Sequence, residues 1–150
     1  MDAMAWVEDD GGRIAAGFKG KAGDCVARSL AIASGRPYRE VYDRLAAGMG
    51  SQRVVKGDRA VRSARNGINT SRKWFKDYMA ELGFVWIPTM AIGQGCRVHL
   101  AAGELPPGRL VVMVSKHCTA VIDGVIHDTH NPQRDTGRCV YGYWVAASQA

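Results

Sequence analysis

A chain of 150 residues that is 47% hydrophobic and 23% charged can bury one sizeable core, and it is short for two, so residues 1–150 read as a single domain. No apolar run approaches the roughly 18 residues needed to span a bilayer, and the acidic opening "MDAMAWVEDDGG" has no apolar leader core, so no membrane segment is expected and a cytoplasmic location is the default. The formal net charge of +6 is unevenly spread: residues 53–76 carry Arg53, Lys56, Arg59, Arg62, Arg65, Arg72, Lys73 and Lys76 against Asp58 alone.

In chain order, Asp24 and Gly35 bracket an apolar-rich run at 25–34. This predicts a helix with Asp24 as N-cap and Gly35 just past its end. Val26, Leu30 and Ala33 form one face, and Ala27, Ala31 and Ile32 leave little that is polar, so the helix should be central. Pro37 at a first-turn position, with Tyr38, Val41, Tyr42 and Leu45 at helical spacing, predicts a second helix. Residues 46–70, rich in Gly, Arg, Ser and Asn, predict a long loop. Thr70 or Ser71 then caps a third helix, whose Trp74, Phe75, Tyr78, Met79 and Leu82 make an apolar stripe ended by Gly83.

From residue 84 the period changes. "FVWIP" and "RLVVMVS" are strand candidates, with "LPPG" as a turn between them, and "RCVYGYWVA" is a last strand. Within "HCTAVIDGVIHDTH", Asp123-Gly124 is the strongest hairpin signal in the chain. Helices first and an antiparallel sheet afterwards define an α+β fold.

A two-residue turn at Asp123-Gly124 pairs Ile122 with Val125 and sets Thr119 opposite Asp128. Alternation then places His117, Thr119 and Val121 on one face with Ile126, Asp128 and His130. Asp128 is a diagonal neighbour of His117, within reach of an imidazole–carboxylate hydrogen bond. Cys25 is the group such a histidine would act on. A thiol in the first turn of a helix faces the positive end of the dipole, which favours thiolate. A nearby imidazole would favour it further, and the backbone N–H of Cys25 could stabilise an oxyanion.

The order of cysteine at a helix start, histidine opening a strand and an acid on the next strand resembles papain-like cysteine peptidases. "GDC" before an apolar helix looks like their nucleophile helix, and "HCTAVIDGVIHDTHNP" looks like the histidine and acid strands of their minimal forms. Through "DCVARSLAIASGRPYREVYD", "SRKWFKDYMAELGF" and "VIHDTH" the chain also resembles small phage and bacterial proteins. The resemblance implies a papain-like α+β fold, with helices packed on the sheet and the site in the cleft between. It assigns Cys25 as nucleophile, His117 as base and Asp128 as orienting acid. The reaction would be thiol attack on a peptide, protein or isopeptide carbonyl, giving an acyl-enzyme resolved by water or an amine, with no cofactor and no metal. Papain-like enzymes place a glutamine shortly before the nucleophile as a second oxyanion donor. "GFKGKAG" offers only Lys19 and Lys21, so the donor is one of these, Gln94 from a loop, or backbone alone.

Several alternatives stand beside this reading. Asn131 rivals Asp128 as third member, and His127 should face away from His117. "GQGCRVHL" places Gln94 and Cys96 as a second glutamine–cysteine segment, but Cys96 leaves no helical half before His117. Cys96 with His99, or His117 with Cys118, offers zinc ligands without a known spacing. All four cysteines (25, 96, 118 and 139) are expected as reduced thiols. Cys25 could also be a structural thiol in a papain-fold binding module without turnover. Residues 53–76 could instead contact nucleic acid or an acidic partner in a phage host, although a solvated basic face is the plainer reading. No Walker loop, GxGxxG or HExxH is present.

Overall fold

The structure, a computed structural model, describes residues 2–19, 23–51, 63–65 and 68–147. Three helices, α1 (Cys25–Ser34), α2 (Tyr38–Ser51) and α3 (Lys73–Glu81), precede most of the strands. The strands are β1 (Ala5–Glu8), β2 (Phe84–Pro88), β3 (Arg109–Val114), β4 (His117–Ile122), β5 (Val125–Asp128) and β6 (Val140–Ala146). They form one six-stranded sheet in the order β1-β5-β4-β3-β6-β2. The α+β class holds, but the sheet is mixed rather than antiparallel. The N-terminal β1 pairs in parallel with β5, Ala5 against Val125 through Glu8 against Asp128. Four exposed residues, "AWVE", carry no readable period, so their place at a sheet edge depends on backbone pairing with β5.

Both faces of the sheet are covered, which explains the near-continuous apolar run of β3. Val111, Cys118, Ala120 and Trp144 face the helices and pack with Leu30, Val41, Leu45, Phe75 and Met79. Leu110, Val112, Val121, Ile126 and Val145 face the other way, under Leu100 and Met4. The hairpin register follows the arithmetic of the turn: Ala120 pairs with His127, Val121 with Ile126 and Ile122 with Val125. Asp123 and Gly124 both have positive φ, 48° and 81°, the backbone a type I′ turn needs.

Helix ends differ from expectation in three places. The side chain of Asp24 makes no cap hydrogen bond, because it is turned inward to other partners. Neither Thr70 nor Ser71 caps α3. Arg72 holds the N-cap position, and Ser71 donates from its N–H and Oγ to Asn69 Oδ1, at 3.0 and 2.6 Å. Helix α2 runs on to Ser51, into the stretch expected as loop, and at Gly48 the Trp74 indole lies where a side chain would be, so only glycine fits there. At Gly35 the expectation holds: its φ of 73° is left-handed, and its N–H donates to the Ala31 carbonyl at 3.0 Å.

Two of the four cysteines are not free thiols. Cys96 and Cys139 form a disulfide across 43 residues of sequence. The segment after Cys96 runs beside the start of β6, with Leu100 N–H on the Arg138 carbonyl at 2.7 Å and Val140 N–H on the Val98 carbonyl at 2.8 Å. That pairing brings the two Cα atoms to 5.8 Å, well within bridging range. No helix among the described residues is long and apolar enough to cross a membrane.

Candidate active site

Cys25 is the first residue of α1, and its helix lies across β4. It is partly exposed and opens into a cavity of about 530 Å3, lined among others by His117, Cys118, Met113, Trp86 and Tyr141. The sulfur shares the cavity wall with the Cys118 thiol and the His117 imidazole, both of which can donate to it. These two donors, with the His117 charge, outweigh the cost of burial and hold Cys25 down at about 4. Cys118 moves the opposite way, raised well above the usual thiol range by its bond to Cys25 and by burial.

His117 opens β4. Its Nε2 donates to Asp128 Oδ2 at 2.7 Å. Burial alone would lower this imidazole, but its bonds to Asp128 and Cys25 and their charges prevail and raise it to about 9. Between these values the favoured state is a thiolate–imidazolium pair. Asp128 ends β5 fully buried. Burial would raise its pKa, but bonds from His117 and from Thr119 Oγ1, the latter at 2.7 Å, bring it to about 2. The other oxygen, Oδ1, accepts the Thr129 N–H at 2.7 Å and faces Arg28 Nη2 at 3.3 Å. His130 packs against the His117 ring, with centroids 5.1 Å apart.

Cys25, His117 and Asp128 therefore meet where the turn arithmetic and the helix start place them. Asn131 does not join them: it is exposed, and its Oδ1 accepts from the Gln133 N–H and Nε2 at 3.2 and 2.9 Å. His127 points elsewhere, with Nδ1 3.6 Å from Asp9 Oδ2.

Of the side-chain oxyanion donors, Lys19 and Gln94 do not reach the site. Lys19 is exposed, and its carbonyl accepts from Arg13 Nη2 at 3.1 Å. Gln94 sits in an exposed turn after β2, and neither lines the cavity. Lys21 lies outside the described residues. Cys25 itself stands at the start of α1, where the first N–H groups have no partner within the helix. Lys116, unpredicted, does line the cavity.

The other cysteine reading changes too. The disulfide removes Cys96 both as nucleophile and as zinc ligand, and His99 Nδ1 is held by Glu104 Oε1 at 3.1 Å. A different trio, His117, Asp128 and His130, places one potential ligand atom each within 4.8 Å of the others. A cation there would have to displace the His117–Asp128 bond and sit beside the Arg28 guanidinium, so the donor set suits an imidazole–carboxylate pair better than a metal. Of the basic stretch, Arg53, Lys56, Arg59 and Arg62 lie outside the described residues, and Lys73 pairs with Asp77 at 2.7 Å.

Arg28, Tyr38 and Lys116 have no place in the site expected from the sequence, and Cys118 is expected there only as a zinc ligand beside His117. Arg28 gives the clearest signal, since a guanidinium on a helix otherwise read as apolar must find buried partners. No protein-family model, no curated protein and no solved structure matches this chain.

Proposed function

We propose that the protein is a cysteine-dependent peptidase or amidase, or a related acyl transferase, built on a papain-like variant of the α+β fold. The observation that carries this reading is the His117–Asp128 hydrogen bond, at 2.7 Å, with Cys25 and His117 both on the wall of an open cavity. Cys25 Sγ attacks the carbonyl carbon of a peptide, protein or isopeptide bond. The oxyanion is met by the N–H of Cys25 at the start of α1. His117, protonated in the resting pair, gives its proton to the leaving amine as the C–N bond breaks. Water then attacks the thioester while His117 takes its proton, and the acid leaves as the thiolate re-forms. An amine in place of water gives transamidation. Asp128 holds the ring and balances its charge.

The decisive experiment is alkylation of the native protein by iodoacetamide across pH, with the modified cysteine mapped by mass spectrometry, alongside release of amine from a peptide library. Cys25 should label selectively below pH 6, and His117→Ala should slow that labelling by about 10- to 100-fold as the thiolate is lost. Labelling no faster than for an ordinary thiol would sink the proposal. A second reading, a papain-like binding module, is favoured by the absence of Lys19 and Gln94 from the cavity lining. It predicts the same labelling with no amine release.

A further inference from the structure

Arg28 stands three residues after Cys25 on α1 and is only 7% exposed. A buried guanidinium is tolerated when its charge is matched, and here it is matched twice. It pairs with Asp24 at the head of its own helix and with Asp128 on β5, the latter at 3.3 Å. Asp24 is itself held from behind: Tyr38 OH donates to Oδ2 at 2.5 Å, and Arg13 Nη1 donates to that hydroxyl at 2.9 Å. The helix that carries the thiol and the strand that carries the acid are thus joined by one planar, doubly paired group.

Asp128 has a competing imidazole. His130 Nδ1 lies 3.8 Å from Oδ1, the same oxygen that faces Arg28. We propose that Arg28 is a positioning residue of this site: by occupying Oδ1 it keeps the Asp128 carboxylate committed to His117 rather than shared with His130, and fixes it relative to Cys25. The inference rests on the proposed roles of Cys25, His117 and Asp128. Arg28→Lys keeps a cation beside Asp24 but cannot span both carboxylates.

The test is the pH profile of Cys25 alkylation by iodoacetamide in wild type, Arg28→Lys and the double variant Arg28→Lys/His130→Ala, with thermal unfolding recorded for each. Arg28→Lys should move the acid midpoint of labelling upward by about one pH unit, so that labelling at pH 5 slows several-fold to about ten-fold. Removing His130 as well should restore most of the wild-type profile, which a purely structural role for Arg28 would not do. A lower melting temperature with an unmoved midpoint overturns the inference. If Arg28→Lys does not fold, Tyr38→Phe, which removes the hydroxyl that joins Asp24 to Arg13 and leaves Arg28 itself unchanged, should shift the midpoint in the same direction by less, and no shift there overturns it. A wild-type protein with an ordinary thiol midpoint would instead overturn the proposed function, so the two failures are distinct.

Discussion

Two neighbourhoods of this molecule each set a cysteine near a histidine, and they have opposite fates. At the start of α1, the Cys25 sulfur meets His117, whose ring is held by a buried carboxylate, and the thiol opens into a cavity. In the loop after β2, Cys96 lies close to His99 in sequence, yet its sulfur is consumed by Cys139, and His99 is turned to Glu104. Residue types do not separate the two. What separates them is whether the imidazole has a buried acid behind it and whether the thiol has a second sulfur in bonding range.

The strongest way to break the first neighbourhood is Asp128→Ala. It removes the acceptor that Arg28 and His117 share; Arg28 keeps Asp24, so the loss should lie near the lower end of the about 3–5 kcal/mol that breaking a buried ion pair costs. Urea unfolding should read that loss, and a change under about 1 kcal/mol would mean the carboxylate does not hold the two together. The matching break in the second neighbourhood is Cys139→Ser. Opening a loop of this length should lower stability by about 2–4 kcal/mol. It should leave the iodoacetamide profile of Cys25 where it was. A shifted profile would show that the two neighbourhoods are coupled.

A finer contrast lies within the first site. Cys118→Ala removes the donor with the largest part in lowering Cys25 and keeps His117. One hydrogen bond of ordinary strength corresponds to about one pH unit, so the labelling midpoint should rise by about that much. An unchanged midpoint would assign the thiolate to His117 alone.

The same pair also sets how stability depends on pH. His117, raised from an ordinary value near 6.5 to about 9, contributes stability that is full below 6.5 and lost as pH rises through 9. Cys25, lowered from an ordinary value near 9.0 to about 4, contributes stability that is full above 9.0 and lost as pH falls through 4. Between 6.5 and 9 the two slopes cancel, because folding moves a proton from thiol to imidazole without net uptake. Below 6.5 only the thiol slope remains, so stability should fall from pH 6.5 towards 4. Cys25→Ser should flatten that slope in a series of urea unfolding curves, whereas an identical slope in the variant would place the titration elsewhere.

Much of the site was legible because it rests on local rules. The Asp123-Gly124 turn sets the β4–β5 register, and the register sets His117 and Asp128 on one side. The bracket of Asp24 and Gly35 puts Cys25 at a helix start. Yet Asp24, chosen as a cap, serves as a buried partner of Arg28 and Tyr38, because a carboxylate near buried cations gains more from them than from one N–H at a helix end. The parallel pairing of β1 and the Cys96–Cys139 bond were not legible. Each joins segments far apart in the chain, and neither leaves a periodic trace in its own few residues.

By itself, then, the sequence determined the elements whose signals are short-ranged: three helices with apolar faces, the strands from residue 84 onward, a tight hairpin and a thiol in the first turn of α1. The tertiary structure decided which side chains share a space. It chose Asp128 over Asn131, set Cys118 against Cys25, tied Arg28 between two carboxylates and spent Cys96 on Cys139. The physical reason is that periodicity and turn chemistry act over a few residues, whereas buried charges and sulfurs are paired by whatever the folded chain brings within a few ångströms.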